Sequence, residues 1–243
     1  MGSAVPTFEP GIIHVWRGSL DQGQEAYRRF ELLLANDERA RAARFHFSRD
    51  RVRFVVGRGM LRSLLARYVG VDGAQLRFRY GRERKPALVG EGPYFNLAHS
   101  GATALFAFSP SFDVGVDVEL VGSELEGDRI AERFFSPAEI EALQAVPDED
   151  RGVAFLACWT RKEAFLKARG DGLTLALDSF DVSLAPNEPA ALLRTGWSPK
   201  ECSRWQLVDL SDTEQGQVAA LAAPATGWHC VRHEIDTETL LSD

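Results

Sequence analysis

Asp113-Val114-Gly115-Val116-Asp117-Val118-Glu119-Leu120 is the stretch that decides the fold. Val114, Val116, Val118 and Leu120 alternate with Asp113, Gly115, Asp117 and Glu119, the period-2 pattern of a half-buried strand. Asp117 and Glu119 therefore leave the strand on the same side. Their Cα atoms lie about 6.6 Å apart, twice the rise per residue, so the two carboxylates can lean onto one cation. Like charges at such positions repel, which calls for a cation or a basic neighbour. Further along the chain, Trp159-Thr160-Arg161-Lys162-Glu163-Ala164-Phe165-Leu166-Lys167 reads as a helix with Glu163 and Lys167 at i and i+4, one above the other. A third carboxylate and an ammonium group beside the acidic strand make a site for a magnesium-bound phosphate ester. The chemistry implied is phosphoryl transfer. Each segment alone has an ordinary reading, a solvated strand face and a surface ion pair worth ~0.3–0.5 kcal/mol; the joint occurrence carries the argument.

The chain has 243 residues, 45% of them hydrophobic and 26% charged, which suits a globular protein of one large or two small domains. No apolar run approaches the ~20 residues that span a bilayer, and the N-terminal stretch, interrupted by Glu9 and Pro10, lacks the pattern of a signal peptide. The expectation is a cytoplasmic protein with no membrane partner. Cys158, Cys202 and Cys230 are widely spaced and odd in number, which argues against a disulfide framework or a zinc site. A net charge of −7 disfavours nucleic acid as a partner. Yet between Glu38 and Arg67 the acid Asp50 stands against Arg39, Arg41, Arg44, Arg49, Arg51, Arg53, Arg58, Arg62 and Arg67, a local excess that points to a small anionic ligand.

Residues 12–16 read as an opening strand, Glu25 to Leu34 as a helix, and Asp37 to Phe45 as a second helix capped by Asn36. Arg51 to Tyr68 is the main helix of the first half, stopped by Gly70. Ser136-Pro137-Ala138-Glu139 combines a hydroxyl cap, proline at the first helical position and a capping-box glutamate, so a helix starts there and ends before Pro147-Asp148. Gly152 to Arg169 is the helix bearing Glu163, closed by Gly170. Arg44-Phe45-x-Phe47-Ser48 precedes the first long helix as Arg133-Phe134-Phe135-Ser136 precedes the later ones, an echo that suggests duplication. Strands follow in each half: Tyr94 to Ala98, Ala102 to Ser109 and the acidic strand, then Phe180 to Leu184, Trp205 to Leu210 and Gln217 to Ala222. Ser179 to Lys200 is otherwise loop-like, as are the last ten residues.

Gly115-Val116-Asp117-Val118-Glu119 paired with Trp159-x-x-Lys162-Glu163-Ala164-x-x-Lys167 resembles the double signature of the 4′-phosphopantetheinyl transferases, in particular the surfactin-synthetase-activating type with two pseudo-duplicated halves in one chain. Asn96-Leu97-Ala98-His99-Ser100-Gly101 resembles the family's Asn-x-x-His-Ser segment, whose histidine and serine contact coenzyme A phosphates. Glycine at 101 lets backbone and small side chains approach a phosphate closely. Lys85-Pro86 matches the stretch beside the adenine. Arg53 matches the basic residue opening the main helix, and Arg41 falls where a 3′-phosphate contact is found; an arginine fork suits that task. Alone, His99 reads as a structural imidazole and Lys85-Pro86 as a solvated turn. The resemblance spans roughly residues 38 to 180 and has no motif beyond 185. Val118 between the two acids leaves water or Glu163 to fill the third metal position.

The resemblance implies an α+β fold of two pseudo-duplicated halves, each a small antiparallel sheet packed with helices, with the ligand cleft between them. Residues 1–113 form the first half and residues 114–243 the second, which carries the acids; a monomer follows if that cleft replaces a subunit interface. It further implies transfer of 4′-phosphopantetheine from coenzyme A to a serine of an apo acyl or peptidyl carrier protein, releasing adenosine 3′,5′-bisphosphate. Asp117, Glu119 and Glu163 would hold Mg²⁺, Glu163 would act as base, and Lys167 would stabilise the departing phosphate. Phe134 and Phe135 are either carrier contacts or core. Two rivals are a magnesium-dependent hydrolase of coenzyme A or a nucleotide pyrophosphate, and a non-catalytic coenzyme A-binding module.

Overall fold

The computed structural model describes residues 8–81, 85–122, 127–170, 175–224 and 226–242. The first half runs β1 (Ile12–Ser19), α1 (Gln24–Leu33), α2 (Asn36–Ala42), α3 (Ser48–Val69), the small hairpin β2 (Phe78–Tyr80) and β3 (Pro86–Leu88), then β4 (Tyr94–Ser100) and β5 (Thr103–Ser109). The acidic strand is β6 (Gly115–Leu120). It is followed by α4 (Gly127–Phe134), α5 (Pro137–Gln144), α6 (Asp148–Arg169), β7 (Phe180–Val182), β8 (Leu192–Thr195), β9 (Trp205–Asp209), β10 (Gln217–Pro224), β11 (His229–Glu234) and α7 (Thr237–Leu241). The fold is α+β. No helix among the described residues is long and apolar enough to cross a membrane.

Two sheets form the centre, one ordered β11-β1-β5-β4 and the other β6-β10-β9. They meet face to face through Ile13, Val15, Leu105 and Ala107 on one side and Val116, Val118, Ala219 and Leu221 on the other. Strand alternation then fixes the outer faces. Trp16, Phe106 and Phe108 pack under α3, and Val218, Ala220 and Ala222 under α6. Because Val116 and Val118 are drawn between the sheets, Asp117 and Glu119 turn toward α6.

α3 and α6 are buried on nearly all sides, and each stops at a glycine in the left-handed region, Gly70 at φ 70° and Gly170 at φ 81°. Ser136 caps α5 as the sequence predicts, accepting from Glu139 N while Glu139 accepts from Ser136 N. Several expectations are corrected. α6 begins at Asp148 rather than Gly152, because Asp148, Glu149 and Asp150 in its first turn complement the helix dipole. α2 begins at Asn36 itself, and its leading N–H, that of Ala35, is taken by Glu38. Ser179 to Lys200 contains the β7–β8 pair, and the C-terminal segment is ordered structure, not loop: β11 pairs parallel with β1, while α7 packs on α1 and α3. One parallel pairing therefore joins the antiparallel ones in the first sheet.

Candidate functional site

Between Ala154 and Ala168, α6 offers three half-open positions on an otherwise buried surface, Trp159, Glu163 and Lys167. They are spaced by four and so form one stripe. The stripe faces β6, which runs directly against the helix backbone: a Cβ on Gly115 would stand 2.0 Å from Ala164 O and 2.4 Å from Ala168 N. The glycine of the acidic strand is thus a packing requirement, and it brings Asp117 to Lys167.

Lys167 Nζ donates to Asp117 Oδ1 at 2.6 Å and reaches Val116 O at 3.4 Å. Asp117 is buried, 6% exposed, and among the described residues its Oδ2 has no hydrogen-bond partner. Ser100 Oγ donates to Glu119 Oε2 at 2.8 Å. Burial raises the pKa of Asp117 against the pull of the Lys167 ammonium. Burial also raises Glu119, with the Asp117 charge adding to it and the Ser100 hydroxyl opposing. Glu163 is raised by burial and by the charges of Asp117 and Glu119, with Lys167 opposing. The three carboxylates therefore share one electrostatic field. His99 is held below its ordinary value by desolvation, Lys167 and Arg53, against Asp117, so its imidazole is neutral near pH 7.

Whether a metal suits this donor set is decided by the orphaned Asp117 oxygen and the mutual repulsion of the acids. Among the described residues no three His, Cys, Asp or Glu side chains form a ready-made metal cluster. Magnesium does not demand one, since it is commonly held by one or two carboxylates with water and substrate phosphates completing the shell. The unpartnered Oδ2 of Asp117, with Glu119 beside it, fits that mode.

Other residues singled out in the sequence spread around this centre. Lys85 Nζ donates to Asp113 Oδ1 at 3.0 Å, Val114 O at 3.1 Å and Lys167 O at 2.8 Å, tying the start of β6 to the end of α6. Lys85 and Pro86 line a cleft of about 650 Å³ with Tyr80, Tyr94, Pro110 and Asp113. Arg53 makes a two-point bond to Asp21, at 2.8 and 2.9 Å, while its charge is felt at His99. Arg41 lies over the ring of Phe54 at 5.1 Å. Gly101, at φ 55°, makes the β4–β5 turn against Leu120. Phe135 is core, stacked on Phe155, while Phe134 meets Trp159 at 6.3 Å beside the stripe. Arg82 to Arg84 lie outside the described residues. Of the arginine-rich stretch, Arg58 and Arg62 are buried on Glu38 and are not ligand-facing.

Two contributors were not legible as such. Lys162, the motif lysine next to Glu163, points away from the cleft: it is 0% exposed, paired with Glu139 at 2.8 Å and donating to Leu177 O and Phe180 O. Asn96 accepts from Val116 N at 2.9 Å, between β4 and β6. The Asn-x-x-His-Ser match was the only signal for it.

Carboxylates on a strand and an ammonium on the facing helix thus stand next to a cleft lined by Lys85 and Pro86, a set of groups suited to phosphate-ester chemistry. Residues 113–222 match the family model described as the 4′-phosphopantetheinyl transferase superfamily, and residues 16–111 match that of the 4′-phosphopantetheinyl transferase N-terminal region. The chain is 39% identical over 220 residues to the 4′-phosphopantetheinyl transferase HetI of Nostoc sp., covering 89% of each chain. It is 35% identical to a putative 4′-phosphopantetheinyl transferase of Synechocystis sp. (73% of this chain, 72% of the relative), and 35% identical to the 4′-phosphopantetheinyl transferase Sfp of Bacillus subtilis (66% and 71%). The chain belongs to the 4′-phosphopantetheinyl transferase superfamily.

Proposed function

We propose that the chain transfers the 4′-phosphopantetheine group of coenzyme A to a serine of an apo acyl or peptidyl carrier protein at the Asp117–Glu163–Lys167 cleft, releasing adenosine 3′,5′-bisphosphate. The observation that carries the assignment of the site is the ion pair from Lys167 to buried Asp117, with the other Asp117 oxygen unpartnered.

The serine oxygen attacks the phosphorus bearing pantetheine, and the bond from that phosphorus to the nucleotide phosphate oxygen breaks. Glu163 takes the serine proton; its raised pKa makes it a stronger base than an exposed carboxylate. Lys167 meets the charge that develops on the departing phosphate. Neutral His99 donates a hydrogen bond to the pyrophosphate without adding charge. The cleft at Lys85 and Pro86 receives the nucleotide, and Arg53 and Arg41 serve the 3′-phosphate once Arg53 exchanges Asp21 for it. Asp117 and Glu119, with Glu163 at the edge, would hold Mg²⁺. When bound, magnesium supplies positive charge that neutralises the pyrophosphate oxygens. Residues 1–113 and 114–243 are the two parts of a cytoplasmic monomer, each built around one central sheet, with β11 and α7 of the second part crossing back onto the first.

The test is intact mass spectrometry of a purified apo carrier protein incubated with coenzyme A and this enzyme, with magnesium or with EDTA. A magnesium-dependent gain of one phosphopantetheine is expected. No gain across acyl and peptidyl carriers overturns the reading, and coenzyme A consumed without a carrier would mark a hydrolase instead.

A further inference from the structure

The two central sheets each end in an edge strand at the cleft: β4 closes the first sheet and β6 the second. β6 is bonded to β10 along one side only. Alternate residues of an antiparallel strand turn both backbone groups the same way, so the free side of β6 exposes the peptide groups of Val114, Val116 and Val118. Buried backbone groups need partners, and here side chains supply them. Lys85 donates to Val114 O and Lys167 to Val116 O. The Val116 N–H is taken by Asn96 Oδ1 at 2.9 Å.

Asn96 differs from the others. It is uncharged, 7% exposed, and comes from β4, where its backbone pairs with Ala107. Its bond is thus a stitch from the edge of one sheet to the edge of the other, placed on the residue immediately before Asp117. The Val116 N–H belongs to the rigid Gly115–Val116 peptide and Val116 O to the Val116–Asp117 peptide, so Asn96 and Lys167 together fix the planes on both sides of Val116 and with them the direction in which the Asp117 side chain departs.

We propose that Asn96 is a positioning residue for the transfer: by holding the Val116 peptide it sets the angle at which β6 presents Asp117 to Lys167 and the substrate. The inference rests on the assignment of the reaction to this cleft. Asn96→Ala and Asn96→Asp are measured in the wild-type and Asp117→Asn backgrounds, with transfer followed by intact mass and each variant's thermal midpoint recorded. Asn96→Ala is expected to lower kcat about 10- to 100-fold, the scale of a misplaced catalytic group, with the KM for coenzyme A little changed. Asn96→Asp keeps an Oδ acceptor and recovers most of that loss. In the Asp117→Asn background, Asn96→Ala costs little more, because the group it positions has been removed.

A loss that repeats in full in the Asp117→Asn background, or one equal in Asn96→Asp and Asn96→Ala, overturns the proposal. Should Asn96→Ala not fold, Asn96→Ser, whose hydroxyl is too short to make the stitch, takes its place with the same expected and opposing outcomes. If Asp117→Asn itself transfers at the wild-type rate, it is the site assignment that fails.

Discussion

α3 and α6 occupy corresponding places in the two halves, and each is 22 residues long. At the same step along each helix stands a buried base, Arg62 in one and Lys162 in the other. Each reaches back to a buried glutamate at the third position of the helix before it, Glu38 or Glu139. Each also donates to two carbonyls of the turn that follows: Gly73 and Leu76 for Arg62, Leu177 and Phe180 for Lys162. The next residue is where they part. In α6 it is Glu163, half-open to the cleft, and in α3 it is buried Ser63. The shared part is therefore scaffold, and the charged stripe belongs to one half. A lysine inside a functional motif can be there to fix the rotation of a helix rather than to touch substrate.

The largest expected effect sharpens that division. Glu163→Gln should lower transfer by about 10²- to 10⁴-fold, the usual worth of a general base, while leaving coenzyme A affinity nearly intact. Ser63→Ala at the matching place should leave turnover unchanged. Steady-state kinetics on the pair checks this; equal losses would mean the two helices share the chemistry.

Next come the buried pairs. Removing one partner of a buried ion pair leaves an uncompensated charge and costs roughly 3–5 kcal/mol. Glu38→Ala should destabilise more than Glu139→Ala in urea unfolding, because it strands two guanidiniums, Arg58 and Arg62, where the other strands one ammonium. Replacing Glu139 and Lys162 together by Leu and Met should recover much of the single-variant loss. Failure to recover would mean that the bonds to Leu177, Phe180 and Val182, not the charge, hold the turn in place.

Two glycines test where scaffold ends and site begins. A Cβ at Gly59 would stand 2.3 Å from Phe30 Cβ, and one at Gly115 would stand 2.0 Å from Ala164 O. Overpacking of this kind costs about 1–3 kcal/mol, so both alanine variants should melt earlier. Only Gly115→Ala should also lower kcat of the folded enzyme, because the backbone it pushes away carries Glu163 and Lys167. Parallel measurement of thermal midpoint and kcat separates the two.

Much of this was legible from period alone. The alternation around Asp117 gave the strand and its acidic face, and the spacing of Glu163 and Lys167 placed them together on one face of a helix; only the family resemblance set that helix beside the strand. Legibility ends where the partner lies far away in sequence. Nothing local marks β11 as the parallel neighbour of β1, since His229–Glu234 alternates too weakly to declare a buried face and its pairing crosses the whole chain. Lys162 reads like its neighbours because a helix motif does not reveal which side meets Glu139. Asn96 and Gly115 depend on a second strand and a second helix that only the fold brings near.

The smallest effect belongs to the first sheet, where β1 meets β11. His14 is buried on β1, its Nδ1 2.8 Å from the Tyr68 hydroxyl, which also accepts from Trp16 Nε1 at 2.8 Å. That arrangement makes the hydroxyl the donor to Nδ1 and keeps the imidazole neutral. Burial, and then the neighbouring His233, lower the His14 pKa from 6.5 to about 4. A histidine whose folded pKa is depressed contributes stability above its unfolded pKa and loses it as pH falls toward the folded one. Between pH 7 and 5 the unfolded chain takes up a proton that the folded chain refuses, a loss of roughly 1–2 kcal/mol. The thermal midpoint should therefore fall by a few degrees over that range, and His14→Gln, which keeps an acceptor for Tyr68 but does not titrate, should flatten the dependence. An unchanged slope in that variant would shift the acid sensitivity to His233 or to the second half, and the contrast between a pH-sensitive β1–β11 seam and a chemically active α6 stripe would have to be redrawn.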